Sequence, residues 1–139
     1  KGIEKMAERL VLNVDGSCRP NPGAGSFGVV VRTPDRRIVC RFRKDIGYAT
    51  NNIAEWRGLL AALDYILASG VYRADIRMDS RLVVEQALGR WRVRDTKLVE
   101  LAQRAWSGLS ALKQRGVVVT LQWIDRSDNG DADAVAAGW

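Results

Sequence analysis

Apolar residues near the start of the chain recur at every second position. Leu10, Leu12 and Val14 fall on one face of an extended segment, and Val11, Asn13 and Asp15 on the other. That period predicts a β-strand. Residues 25–33 and 36–44 read as two further strands joined at "TPDR", where Pro34 and Asp35 suit a turn. In the third strand Ile38, Cys40 and Phe42 alternate with Val39, Arg41 and Arg43, the pattern of one buried and one wet face. The first strand ends on Asp15 and runs into a glycine-rich stretch, "GSCRPNPGAG". Such a stretch is an ordinary turn composition by itself.

The period then lengthens. Ile53, Trp56, Leu60, Leu63 and Leu67 recur three and four residues apart, which predicts an amphipathic helix over 51–69. Asn51 or Asn52 caps it and Gly70 ends it. A short strand over 73–79 leads to a helix capped by Ser80, and a longer helix ends at Gly116. "VVVTLQWI" is a β-branched strand, and the "DRSDNGDADAVAAGW" turn enters a last short helix. The order βββαβααβα implies an α/β fold, with a mixed sheet and helices on both faces.

Composition narrows the chemistry. A chain of 139 residues is one domain by length. Its two cysteines, Cys18 and Cys40, are too few for a disulfide framework and fit a reducing, cytoplasmic compartment. The absence of histidine removes the commonest general base and transition-metal ligand. Any catalysis therefore rests on carboxylates. Lys and Arg number 22 against 16 Asp and Glu, a net charge of +6, with arginines clustered at 32–43 and 90–94. That balance favours a polyanionic partner. No apolar run approaches the ~18 residues of a membrane span, so no membrane partner is expected. Residues 1–5 read as a leader ahead of Met6, and residues 6–139 as a single domain.

Four carboxylates stand at the ends of these elements. Asp15 closes the first strand and Asp79 the fourth; if those strands are parallel neighbours, both lie where open α/β sheets place their sites. Glu55 continues the apolar row Leu59, Ala62, Ile66 and so points toward the protein. Asp133 sits early in the last helix beside Ala132 and Ala136. Clustered carboxylates repel unless a cation neutralises them, and oxygen-only ligands suit Mg²⁺ or Mn²⁺.

Four motifs in one order carry a resemblance. "VDGSCRPNPGAGSFG", "TNNIAEWRGLLAAL", "MDSRLVVEQALGRWRVR" and "WIDRSDNGDADAVA" resemble the successive motifs of ribonuclease H, type 1, over residues 9–139. The resemblance implies a ribonuclease H-like, five-stranded mixed sheet, with three antiparallel strands leading into parallel ones. It implies a monomeric endonuclease that hydrolyses the RNA strand of RNA·DNA hybrids with two Mg²⁺ ions, Mn²⁺ being the alternative. Products would carry 3′-hydroxyl and 5′-phosphate ends. Asp15, Glu55, Asp79 and Asp133 match the catalytic, metal-binding carboxylates; the "AVA" after Asp133 and the spacing from Asn129 select it over Asp131. Gly16, Ser17, Asn21, Thr50, Asn51, Asn52 and Trp91 match the substrate-binding positions. Asn21 would meet the minor groove, where A-form duplexes display 2′-hydroxyls. Thr50 and Asn52 would hold the DNA strand, Trp91 would line its channel, and Gly16, Gly23 and Gly25 would admit substrate close to the backbone.

Two departures stand out. Many relatives carry a histidine in the loop before the last Asp, where this chain offers Asp125, Arg126, Ser127 and Asp128. The short "GRWRVRDTKL" connection leaves no room for the extra basic helix that grips substrate in some relatives. The chain stops at Trp139, in the segment read as its last helix, and some bacterial relatives are fused to a phosphatase-like domain. A further C-terminal domain in the full-length protein is therefore expected. A catalytically silent hybrid-binding module is the rival reading, disfavoured because all four carboxylates are kept.

Overall fold

The computed structural model describes residues 9–138. The leader assigned to residues 1–5 lies outside them. Five strands, β1 (Arg9–Arg19), β2 (Gly23–Arg32), β3 (Ile38–Ala49), β4 (Arg73–Met78) and β5 (Val118–Trp123), form one sheet in the order β3-β2-β1-β4-β5. β3, β2 and β1 are antiparallel, and β1, β4 and β5 are parallel. The helices are α1 (Asn51–Ser69), α2 (Arg81–Ala87), α3 (Thr96–Gln114) and α4 (Gly130–Ala136). The expected mixed sheet, element order and two-sided helix cover are all present.

The two faces of the sheet are covered unequally. Leu12 and Val14 of β1, Val29 and Val31 of β2, and Ile76 and Met78 of β4 pack against α1, α2 and α3 in the main core, each with under 1% exposure. Burying side chains of this size contributes roughly 1.5–3 kcal/mol each. On the opposite face α4 alone docks among the described residues, where Val30 meets Ala132 and Val135. Gly28 permits that contact: a Cβ there would sit 2.5 Å from the Ala136 nitrogen.

Local chemistry departs from expectation at several ends. β1 does not stop at Asp15. Its parallel ladder with β4 ends at the Val14–Met78 pair, while antiparallel pairing with β2 continues to Arg19. Asp15 therefore stands where one ladder finishes within a continuing strand. β3 starts two residues later than expected and runs five further, to Ala49. Ile38 of its expected buried face is exposed, because β3 is an edge strand that α1 barely reaches.

Thr50, not Asn51 or Asn52, caps α1: its Oγ1 accepts from the Ile53 N–H at 3.2 Å. Gly70 ends the helix in the left-handed conformation, as expected. Leu67 of the expected apolar stripe is exposed, since α1 outruns the core at its C-terminus. α4 ends at Ala136 with Ala137 as its C-cap, so the last helix is over before Trp139, which lies outside the described residues.

Candidate active site

Three elements converge at the edge where the β1–β4 ladder ends. Asp15 projects from β1, Asp79 directly follows β4, and Glu55 sits in the second turn of α1. One carboxylate oxygen from each lies within 4.8 Å of the others. Gly16 lets α1 come this close, since a Cβ on it would collide with the backbone of Ala54 and Glu55. Its N–H then donates to the Glu55 Oε1 at 2.9 Å. Asp133, from the first turn of α4, lies outside that triad but near enough for its carboxylate to help raise the Asp15 carboxyl.

Burial and mutual repulsion dominate the electrostatics. Desolvation, then the charges of Asp79 and Asp133, push the Asp15 pKa up to about 8. Desolvation, reinforced by Asp15 and Asp79, raises Glu55 well above the usual carboxylate range. Asp79 is also raised by burial, against the opposing pull of Arg126. Four acids held this way are a poor resting arrangement for the bare protein and a good one for hard cations. The set is oxygen-only, confined and partly desolvated, so it fits divalent magnesium or manganese.

The segment carrying Asp133 is fixed by a buried asparagine pair. Asn13 donates through its Nδ2 to Asn129 Oδ1 at 3.0 Å, and Asn129 donates to the Val14 carbonyl at 2.9 Å. Asn129 is 1% exposed, so both bonds are shielded from water. An asparagine between Val11 and Asp15 in a central strand, far from any turn, was the available signal for this clamp. Arg126, in the loop between β5 and α4, places its guanidinium 3.9 Å from the Asp79 carboxylate.

The expected substrate residues form two groups. Asn21 accepts from the Asn51 N–H at 3.0 Å, and Asn51 accepts from the Cys18 N–H at 2.9 Å. These bonds tie the β1–β2 turn to the start of α1, beside Thr50, Asn52, Ser17 and Gly16. Gly16, Gly23 and Gly25 have protein neighbours where side chains would go: α1 backbone, the Pro20 carbonyl, and the Cys18 and Ile46 side chains respectively. Close approach between protein elements by itself requires glycine at these positions.

Trp91 lies apart from that group, across a cavity of about 590 Å³ lined also by Asn52, Gln86 and Arg94. It is 43% exposed and not core. Glu85 fixes its turn, its carbonyl accepting from Arg90 and Trp91 N–H groups and its carboxylate pairing with Arg90 at 2.6 Å. Arg81 lies over the rings of both Trp91 and Trp123, at 5.5 and 5.4 Å, a pairing that strand and helix periods do not reveal.

Residues 13–138 match the family model described as "Reverse transcriptase-like". The chain is 39% identical over 129 residues to the bifunctional protein Rv2228c of Mycobacterium tuberculosis, covering 92% of this chain and 34% of that protein. The chain thus spans about a third of that relative's length. It is 35% identical over 128 residues to ribonuclease HI of Halobacterium salinarum, covering 92% and 62% of the two chains. The N-terminal RNase H domain of Rv2228c, solved as a fusion with maltose-binding protein, superposes with a TM-score of 0.83 over 94% of this chain and 91% of that one. The Halobacterium RNase H1 structure gives 0.84 over 93% and 95%. LC11-RNase H1 in complex with an RNA/DNA hybrid is 27% identical, with a TM-score of 0.80 over 93% and 94%.

Proposed function

The chain belongs to the ribonuclease H family, and from that premise we propose that it hydrolyses the RNA strand of RNA·DNA hybrids as a metal-dependent endonuclease. Products would carry 3′-hydroxyl and 5′-phosphate ends. The observation that carries the reading is the Asp15–Glu55–Asp79 cluster, with carboxylate oxygens within 4.8 Å of one another and Asp133 close enough to act on Asp15. These four residues would hold two Mg²⁺ or Mn²⁺ ions when substrate is present. Bound there, the ions would supply activation of water and neutralise charge developing at the scissile phosphate.

The remaining work falls to the protein. Asn129 and Asn13 set the position of α4, and with it Asp133, against β1. The Gly16 N–H orients Glu55 toward Asp15. Arg126 offsets part of the negative charge near Asp79 and presents an exposed donor beside the carboxylates, suited to a substrate phosphate. Asn21, Asn51 and Asn52 form a polar ledge for a minor groove, and Trp91 with Arg94 bounds a neighbouring channel for the DNA strand. RNA-strand selectivity follows if the ledge reads 2′-hydroxyls. Residues 9–138 would act as one nuclease domain of a monomer, within a protein that carries a further C-terminal domain, as the length of the mycobacterial relative suggests.

The test compares end-labelled RNA·DNA, RNA·RNA and DNA·DNA duplexes with Mg²⁺, Mn²⁺ or chelator. Cleavage of the RNA strand of the hybrid alone, lost in chelator, is expected. Binding without cleavage under every condition would leave a hybrid-binding module instead.

A further inference from the structure

The sheet face that carries α4 is mostly uncovered, and it is basic. Strand register places Arg9, Arg73 and Arg77 on it, with Arg32, Arg41 and Arg43 from β2 and β3. α4 shields only the end near Gly28 and Val30. Beyond it lies a groove of about 830 Å³, lined by four arginines (Arg9, Arg32, Arg36, Arg77) against two aspartates, Asp128 and Asp131.

Internal pairing absorbs only part of this charge. Arg9 binds Asp75 at 2.6 Å, where Arg73 and Thr120 also converge on the same carboxylate. Arg32 binds Asp131. Arg77 has a buried Nε–H with no partner among the described residues, an arrangement that is costly unless an acceptor meets it. Arg36 stands exposed at the β2–β3 turn, its backbone at φ +74°. Guanidinium groups spread over three strands and a turn suit an extended chain of phosphates better than one compact anion. The groove also borders Ser127–Asp131, the segment that leads into Asp133 and the carboxylate site.

We propose that this groove is a second nucleic-acid site, which binds the phosphodiester backbone of a single strand outside the catalytic cleft through Arg36 and Arg77. Charge complementarity and continuity with the 127–131 segment select that occupant. The site needs no cleavage and no divalent ion, so it stands or falls separately from the nuclease reading.

The experiment titrates the full chain into labelled oligothymidylate, read by fluorescence anisotropy in chelator. Wild type is compared with Arg36→Asn, Arg77→Gln and the double variant. Asparagine tolerates the left-handed backbone at position 36, so that variant folds even if Arg77→Gln does not. Each lost phosphate contact removes about 0.7 from the slope of log K against log salt for single strands. The double variant should therefore bind more weakly, with the defect shrinking about sevenfold between roughly 50 and 200 mM salt. Cleavage of a blunt RNA·DNA hybrid should be unchanged. Equal affinity and salt slope for wild type and Arg36→Asn would overturn the proposal. So would complete competition by a mononucleotide at equal phosphate concentration, which would mark a small-anion site, or an equal loss of blunt-hybrid cleavage, which would merge the groove with the catalytic cleft.

Discussion

Replacing Asp15 by Asn should stabilise the metal-free protein, by an amount that grows with pH. The Asp15 pKa rises from 3.8 to about 8 on folding. A carboxyl raised in this way gives stability that is complete below its unfolded pKa and lost as pH climbs through its folded one. At about 1.4 kcal/mol per pKa unit, the loss reaches roughly 4 kcal/mol near pH 7. Glu55, Asp79 and Asp133 stay confined after the substitution, so about half, roughly 2 kcal/mol, is the expected gain. For a domain of this size that is about 6–8 °C in Tm near pH 7, falling to about 2 °C near pH 5. The assay is thermal melting of both proteins in chelator across that pH range, repeated with Mg²⁺. Added Mg²⁺ should reverse the order, because ligand binding stabilises the protein that binds it more tightly. Hybrid cleavage by Asp15→Asn should be abolished. A variant that melts below wild type in chelator near pH 7, or a wild-type Tm that rises with pH over this range, would refute the reasoning.

Asn129→Ala should cost about 2–4 kcal/mol in denaturant unfolding, because it strands the buried Asn13 amide and Val14 carbonyl. Its kcat should fall with little change in KM, since α4 loses the anchor that sets Asp133. Arg126→Ala should tighten Mg²⁺ binding measured by calorimetry, as it removes a cation 3.9 Å from the Asp79 carboxylate; weaker binding would show that Arg126 orders the site and does not compete with the metal. Duplex DNA carrying one, two, four or six consecutive ribonucleotides should be cut only in the longer runs, because Asn21, in the β1–β2 turn, and Trp91, after α2, lie on separate elements. Efficient incision at a lone ribonucleotide would sink that reading.

The sequence was most legible where one period decides the structure. Alternation in β1 separates Leu12 and Val14, in the main core, from Asn13 and Asp15, on the opposite face. The three- and four-residue spacing likewise marks α1, and places Glu55 inward against Gly16. Boundaries were less legible, because competing residues satisfy the same local rule. Thr50, Asn51 and Asn52 are all good caps, and the cap falls to Thr50 because the Asn51 side chain is engaged by the Cys18 N–H. Charge was the least legible feature. Arginines 32–43 look like one local cluster facing a substrate, yet strand pairing makes those in β2 and β3 part of a wider basic face. Arg32, Arg41 and Arg43 join Arg9, Arg73 and Arg77, residues far away in sequence, on the side of the sheet opposite α1. Register is a tertiary property, so no window along the chain contains it. A basic composition therefore indicates a polyanionic partner, while the sheet determines that the charge divides between the Trp91 channel and the uncovered face.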